Sequence, residues 1–202
     1  MTISKSILKR LPKVELHCHL DGSIRVKTMI DLAQKDKVKL PSMNEKDLSQ
    51  MLIIGKNRGT LEDYLKRFDY TLSVMQTPES LTRTAFELIE DVSKENMKYI
   101  EIRYSPILHT QKGMTISESV EAVRAGLKQG EKVFGVQSGI IVCGIRNISP
   151  EVSLKLADLT VQYKNKGVVG FDLAGAEENF PAKDQKEAFY MIRNHNINAT
   201  IH

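Results

Sequence analysis

The stretch Lys13–Leu20, KVELHCHL, is the first of five short apolar runs that decide the fold. Val, Ile and Leu are frequent in these runs, each run has the length of a β-strand, and each ends in turn or polar residues. Such nearly continuous apolar runs are typical of strands that are buried on both faces, as in a parallel sheet. The other four runs are Tyr99–Pro106 (YIEIRYSP), Ser138–Ile145 (SGIIVCGI), Val168–Gly175 (VVGFDLAG) and Asn198–His202 (NATIH).

Helical patterns lie between these runs. Pro78–Met97 carries an apolar stripe at helical spacing, and Ser149–Asn165 begins with Ser-Pro-Glu, which places proline at the first helical position. Two further helices are predicted over Ser117–Phe134 and Ala182–Asn194. The alternation of strand and helix at this spacing predicts repeated βα units, and hence an α/β fold.

One connection is much longer than the others. The stretch from Ile24 to about Thr77 follows the first strand and is far longer than a usual βα connection. Insertions of this kind in α/β barrels lie over the carboxyl ends of the strands, where ligands bind. Three helices are predicted within it, over Ile24–Gln34, Asn44–Ile53 and Thr60–Met75. No internal repeat or linker divides the chain, so we expect a single domain over residues 1–202.

Composition narrows the classes of partner. The chain is 41% hydrophobic and 27% charged, which is typical of a globular protein with a real core. Its net charge of +4 comes from 29 basic and 25 acidic residues that are mixed along the chain, so we expect no nucleic-acid partner. No apolar run approaches the ~18–20 residues of a membrane span, so we expect no membrane partner. With only Cys18 and Cys143, a reduced cytoplasmic protein is expected, and a single bridge between strands is the alternative.

The first candidate site is His17-Cys18-His19, near the end of the first predicted strand. Side chains alternate faces along a strand, so His17 and His19 point the same way and Cys18 points the other. Two imidazoles on one face can share a zinc ion at ~2.0–2.1 Å, and the alternation excludes the Cys18 thiolate as a ligand. Taken alone, the pair also fits two ordinary polar residues. His202 ends the fifth apolar run in the same relative place and could reach the same ion.

Two carboxylates and a glycine stand in or beside predicted strands. Asp21 lies where the chain leaves the first strand and would face whatever the metal binds, or it caps the following turn or helix. Asp172 lies inside an apolar strand, either as a functional group or as a buried carboxylate paired with the backbone or an arginine. Gly175 ends that strand, where the absence of a side chain lets a ligand approach the backbone.

Three motifs together resemble the adenosine deaminase family. They are Pro12–Ser23 (PKVELHCHLDGS), Glu101–Pro106 (EIRYSP) and Gly170–Glu177 (GFDLAGAE), in the family's order and spacing. The first is typical of the wider adenosine and AMP deaminase superfamily, and the other two narrow the resemblance, which runs from about Lys5 to the last residue. The resemblance implies a (β/α)8 TIM barrel with one zinc ion at its carboxyl-terminal mouth, of which this chain supplies about the first five strands.

The resemblance also implies roles for individual residues. His17, His19 and His202 match the family's three histidine ligands of zinc. Asp21 matches a residue that hydrogen-bonds the ribose 5′-hydroxyl, and Gly175 matches a backbone contact to the purine ring. These five positions define the expected metal and substrate site.

The helix Thr60–Asp69, TLEDYLKRFD, resembles the family's lid over the purine. Its apolar stripe consists of Leu61, Tyr64, Leu65 and Phe68, which we expect to contact substrate. A stripe at this spacing is also what any core-facing helix shows, so the lid role rests on the resemblance alone.

The implied activity is zinc-dependent hydrolytic deamination of adenosine or 2′-deoxyadenosine to inosine and ammonia, a reaction of purine salvage. The expected partner is therefore a small-molecule purine nucleoside. In the family, the general-acid glutamate stands three residues after the third zinc histidine, and a further histidine and an aspartate ligand come later. No catalytic residue is therefore expected before His202, and His109 and His195 fit none of the missing roles. We expect the chain to be truncated at its C-terminus and inactive alone.

Two alternatives remain beside adenosine deamination. One is an adenine deaminase or another aminohydrolase of the same superfamily, and the other is a non-catalytic fragment. Asp21 favours a nucleoside, because free adenine has no 5′-hydroxyl to contact. An acidic residue at this position would also repel the phosphate of AMP, and no cluster of Lys or Arg stands near it in the sequence.

Overall fold

Five parallel strands form the centre of the fold. The computed structural model describes residues 4–52 and 65–202. Within these ranges the strands are hydrogen-bonded in the order in which they occur along the chain, and every neighbouring pair is parallel. They are β1 (Lys13–His19), β2 (Met97–Tyr104), β3 (Gln137–Ile145), β4 (Val168–Ala174) and β5 (Asn198–Ala199). The predicted α/β fold is confirmed, with the strand order that right-handed βα crossovers favour.

Helices connect the strands and build the insertion after β1. They are α1 (Lys5–Arg10), α2 (Val26–Asp36), α3 (Glu45–Leu52), α4 (Phe68–Val74), α5 (Pro78–Lys94), α6 (Ile116–Phe134), α7 (Pro150–Gln162) and α8 (Lys186–Asn194). Short 3-10 turns, Pro106–His109 and Ala182–Gln185, follow β2 and β4. Across the two described ranges, no helix combines the length and the apolar character that a membrane crossing needs.

Three helices differ from their predicted form. The predicted helix Thr60–Met75 is described only from residue 65 onward, where it contains α4. The predicted helix Ala182–Asn194 begins as a 3-10 turn, and its α-helical part starts at Lys186. Helix α1 is absent from the predictions because it buries no residue, so no apolar stripe marks it in the sequence.

Capping interactions determine where the two long helices begin. Thr77 and Ser80 form a reciprocal capping box at the start of α5, and Thr115 and Glu118 form another at the start of α6. Helix α6 ends at Gly135, whose φ of +70° gives a left-handed C-cap that L side chains rarely adopt. Local sequence therefore fixes the ends of the two helices that pack against each other and against the sheet.

The core lies between the sheet and the helices that follow the strands. Residues of β2, β3 and β4 are mostly buried, as the apolar runs predict, and apolar faces of α5 to α8 pack on them. Strand β1 is an edge of the described sheet and leaves Val14 and Leu16 more than half exposed. Cys18 is half-buried and Cys143 is buried, and both are free thiols rather than a bridge between strands.

Candidate metal centre

The sheet is curved so strongly that its two outer strands meet at their carboxyl ends. Strands β1 and β5 stand at opposite ends of the strand order. In a flat sheet they would lie about 19 Å apart, because neighbouring strands are ~4.8 Å apart. Instead, Nε2 of His17 at the end of β1 lies 2.7 Å from Nε2 of His202 just after β5. The curvature is that of a barrel wall, and it converts the carboxyl edge of the sheet into a concave site.

Three histidines converge at this edge. Nε2 of His202 lies 2.7 Å from Nε2 of His17 and 3.0 Å from Nε2 of His19. One ring nitrogen from each residue falls within 4.8 Å of the other two. The structure thus brings together the three side chains that the sequence proposes as ligands, although His202 is more than 180 positions from the other two.

The electrostatics of the cluster suit a cation. Burial, together with the neighbouring His202 and His17, lowers the pKa of His19 to about 4. Burial likewise lowers the pKa of His17, together with the charge of Arg103 and the proximity of His202. Neutral imidazoles keep a free electron pair on nitrogen, which is the form that binds a metal. The donor set therefore fits a zinc ion, for which imidazole nitrogen is a preferred ligand.

Strand alternation separates the cysteine from this cluster. Cys18 lies between the two histidines in sequence, and its sulfur is 3.4 Å from the Ser23 hydroxyl oxygen while its side chain packs against the core. Burial raises the pKa of the Cys18 thiol. A half-buried, protonated thiol facing the core is no metal ligand, in agreement with the predicted face of the strand.

Asp172 orients His202. Its Oδ2 lies 2.7 Å from Nδ1 of His202, and its side chain is fully buried. A carboxylate on one ring nitrogen of a histidine fixes the ring and its tautomer and leaves the other nitrogen free for a metal. The sequence left two readings of Asp172 open, a functional group or a buried carboxylate paired with arginine. The structure shows the pairing with arginine, because the same oxygen accepts a hydrogen bond of 2.9 Å from Nη1 of Arg103.

Arg103 and Thr200 complete a polar network that the sequence did not reveal. The guanidinium of Arg103 is buried. It also donates a hydrogen bond of 2.8 Å to the carbonyl oxygen of Leu16 in β1. The Thr200 hydroxyl donates 2.8 Å to Oδ1 of Asp172. Burial raises the pKa of Asp172, but the Thr200 hydrogen bond and the charges of His202 and Arg103 outweigh it and lower the pKa. The sequence offered one signal for Arg103, since a charged residue inside a buried strand needs a partner.

Asp21 is buried just below the mouth of the site. Burial raises the pKa of its carboxyl to about 6, although the nearby backbone N–H groups of Asp21 and Gly22 act in the opposite direction. Its Oδ1 lies 4.0 Å from Nδ1 of His19 and has no hydrogen-bond partner within residues 4–52 and 65–202. Helix α2 begins at Val26 with Arg25 as its N-cap, so Asp21 lies in the turn after β1 and does not cap a helix.

Two other expected substrate contacts fall on the same edge. Gly175 follows β4 with a φ of +101°, and a Cβ there would lie 3.2 Å from Cγ2 of Ile145. Phe68, the first residue of α4, places its ring 3.5 Å from where a Cβ on Gly22 would stand. Leu65 is half-buried three residues before it. The remaining stripe residues, Leu61 and Tyr64, lie outside the described residues.

The other two histidines, His109 and His195, lie away from the cluster. His109 is fully buried in the 3-10 turn after β2, where its Nδ1 lies 2.7 Å from the Met75 carbonyl oxygen. His195 follows α8 with its Nδ1 2.8 Å from the Met191 carbonyl oxygen and is exposed. Neither lies in the metal cluster, in agreement with the sequence, and His109 is buried and hydrogen-bonded.

These features define an α/β-barrel protein with a candidate metal centre at the carboxyl ends of its strands. A model of the adenosine deaminase family matches residues 12–202, which is nearly the whole chain. The chain belongs to the adenosine deaminase family. The resemblance first carried by the three motifs is thereby confirmed.

Individual relatives agree with the family. A protein of Dictyostelium discoideum named probable adenosine deaminase is 44% identical over 200 residues, which are 99% of this chain and 26% of that protein. An adenosine deaminase of Clostridium botulinum strain 657 is 43% identical over 195 residues, covering 96% of this chain and 59% of the relative. The chain therefore spans about three-fifths or less of the length of these relatives.

Solved structures share the fold. An amidohydrolase from Burkholderia ambifaria with bound Zn superposes over the whole chain and 55% of its own length, with a TM-score of 0.89 and 22% identity. The adenine deaminase of Arthrobacter aurescens matches 94% of the chain and 56% of its own length, with a TM-score of 0.82 and 22% identity. The N6-mAMP deaminase of Arabidopsis matches 98% of the chain and 60% of its own length, with a TM-score of 0.83 and 27% identity.

Proposed function

We propose that this chain is the part of a zinc-dependent adenosine deaminase that carries three histidine ligands of the metal and part of the nucleoside site. The whole protein would hydrolyse adenosine or 2′-deoxyadenosine to inosine and ammonia. The observation that carries the proposal is the convergence of His17, His19 and His202 at the carboxyl edge of the sheet, in a chain that belongs to the adenosine deaminase family. The Zn bound by the amidohydrolase from Burkholderia ambifaria supports zinc as the metal, one ion per site.

The residues of the chain have distinct tasks in this proposal. His17, His19 and His202 would hold the zinc ion, whose chemistry is to make water nucleophilic at neutral pH. Oδ2 of Asp172, 2.7 Å from Nδ1 of His202, would orient the ring so that Nε2 faces the metal. Arg103 and Thr200 hold the Asp172 carboxylate in place, because they donate hydrogen bonds of 2.9 Å to its Oδ2 and 2.8 Å to its Oδ1, respectively.

Substrate recognition in this proposal uses the edge around the histidines. The unpartnered Oδ1 of Asp21 can accept a hydrogen bond from the ribose 5′-hydroxyl, and a second charge at this point would be repelled. The backbone of Gly175 is proposed to contact the purine ring, and Phe68, whose ring lies beside Gly22, is proposed to form an apolar wall together with Leu65. Leu61 and Tyr64 are proposed to extend that wall. The preference for a nucleoside over adenine or a nucleotide rests on Asp21.

Three broader statements accompany the proposal. The reaction belongs to purine salvage, because it converts one purine nucleoside into another that other enzymes can use. A cytoplasmic location is proposed because Cys18 and Cys143 are free thiols. Residues 1–202 are proposed to form a single structural unit that a further portion of chain completes.

A comparison of two chain lengths tests the activity. A chain that continues past His202 by the remaining two-fifths of its relatives' length is expected to convert adenosine to inosine, measured as loss of absorbance with added zinc. The 202-residue chain is expected to be inactive, because the general acid is proposed to lie beyond His202 and such a group typically contributes ~10²–10⁴-fold. Equal turnover by both chains would place the catalytic acid within residues 1–202. A longer chain that prefers adenine or AMP would favour the alternative substrates.

Replacing Asp21 tests the substrate assignment within the longer chain. Asp21→Ala is expected to lower kcat/KM for adenosine by roughly tenfold or more, since hydrogen bonds to charged groups contribute ~1.5–3 kcal/mol. The matched substrate is 5′-deoxyadenosine, which lacks the hydroxyl that Asp21 would bind. With this substrate we expect the variant and the wild type to differ little. The same loss with both nucleosides would show that Asp21 supports the fold of the turn and not the sugar.

A further inference from the structure

Helix α4 lies in the insertion after β1, and a buried histidine contacts the carboxyl end of this helix. His109 belongs to the 3-10 turn after β2 and has no exposed surface. Its Nδ1 lies 2.7 Å from the carbonyl oxygen of Met75, the C-cap residue of α4. Because a carbonyl only accepts, Nδ1 must carry the proton. Burial lowers the pKa of His109 to about 4, so the ring stays neutral at physiological pH.

Gln76 joins the same two segments through its side-chain amide. Its side chain is buried, and its amide nitrogen donates to the carbonyl oxygens of Leu72 in α4 (2.8 Å) and Leu108 in the turn (2.9 Å). Its amide oxygen accepts a hydrogen bond of 2.9 Å from the backbone N–H of Gln111. Together with His109, this side chain makes three links between the end of α4 and the turn after β2. The Gln76 amide is satisfied at both its nitrogen and its oxygen, and buried polar groups satisfied in this way specify a single packing arrangement.

The helix fixed by these links carries a residue of the proposed substrate site. Phe68 begins α4, and its ring lies against Gly22 beside the metal edge. Seven residues separate Phe68 from Met75, or about 10 Å of helix at ~1.5 Å per residue. A change at the anchored end therefore tilts the helix and moves the aromatic ring at the other end. Nothing else in the proposed function uses His109 or Gln76.

We infer that His109 and Gln76 are positioning residues, which set the distance of the Phe68 wall from the metal edge by clamping the end of α4 to the turn after β2. The clamp itself is a property of the described structure. Its effect on substrate rests on the proposed function, so the test reads the two separately.

Hydrogen–deuterium exchange tests the clamp without any substrate. His109→Leu and Gln76→Leu are expected to speed amide exchange in α4 by about five- to tenfold, the effect of losing a typical hydrogen bond. His109→Asn is expected to restore slow exchange, because its amide N–H can take the place of Nδ1–H. The matched control is His195→Leu, which removes a similar contact to a backbone carbonyl, at the end of α8. This control should speed amide exchange only at the end of α8 and leave exchange in α4 unchanged.

Helix α6 serves as the internal reference for folding. It should keep wild-type exchange in every variant, since a clamp acts locally. Wild-type exchange of α4 in both leucine variants would overturn the inference. So would an equal gain in exchange in α4 and α6, because it would mean that His109 and Gln76 only support overall stability.

Kinetics of the longer chain tests the consequence for substrate. His109→Leu and Gln76→Leu are expected to raise KM for adenosine by about five- to tenfold with little change in kcat, since the wall binds substrate without touching the reacting atoms. His109→Asn should restore KM, and zinc affinity should be unchanged in all three variants. A loss of kcat alone would overturn the assignment to the wall. A longer chain without deaminase activity would contradict the proposed function and leave the exchange result standing.

Discussion

Replacing His202 by alanine is expected to lower the affinity of the protein for zinc by at least ~100-fold, because loss of a residue that only orients a ligand already costs roughly 10–100-fold. His202 contributes the nitrogen that lies closest to both His17 and His19, at 2.7 and 3.0 Å. Without it the remaining pair is an H-x-H motif on one strand. Affinity can be measured by competition with a chromophoric zinc chelator.

A matched control separates this effect from a loss of histidine in general. His195→Ala removes an exposed histidine that stands outside the cluster, and its zinc affinity should equal that of the wild type. The zinc affinity of Asp172→Asn should lie between those of the two alanine variants, roughly 10–100-fold below the wild type. This variant changes the group that orients a ligand and not a ligand itself. Wild-type affinity in His202→Ala would remove His202 from the proposed metal site.

Replacing Arg103 by methionine is expected to destabilise the protein by ~3–5 kcal/mol, because it leaves the buried carboxylate of Asp172 without its ion-pair partner. The pair is 2.9 Å long, and both side chains are almost completely buried. Arg103 also holds the Leu16 carbonyl oxygen of β1, so the change weakens the contact between strands as well. The free energy of unfolding can be obtained from urea denaturation.

The control for this variant is an arginine in an exposed ion pair. Arg124 lies 2.6 Å from Glu121 on the surface of α6, and Arg124→Met should cost no more than ~1 kcal/mol. The contrast between the two variants isolates burial, since the side chain removed is the same. A similar small loss in both would mean that Asp172 finds another partner when Arg103 is removed.

Strand order and the pairing of His17 with His19 follow from local pattern. Apolar runs of strand length with helices between them leave few topologies, because βα crossovers have one hand. The alternation of side chains along β1 places the two histidines on one face whatever the rest of the chain does. Both predictions therefore needed only residues close to each other in sequence.

The network around Asp172 could not be predicted in this way. Arg103 and Asp172 are 69 residues apart, and Thr200 is 28 residues beyond Asp172. Which strands carry the partners depends on the curvature of the sheet, and no local pattern encodes it. The same holds for His109, whose partner in the insertion is 34 residues away. The sequence could show only that a charge in a buried strand must be paired.

The curvature of the sheet has a consequence for how the chain holds together. His17 and His202 are 185 positions apart, so a metal ion bound by both would enclose almost the entire chain in one covalent-like loop. For a cross-link that encloses this many residues, chain-entropy theory gives about 5 kcal/mol of stabilisation, because the unfolded chain loses the freedom to separate its ends. A bound ion would thus act as a cross-link between the first and the last described strand and stabilise the folded chain.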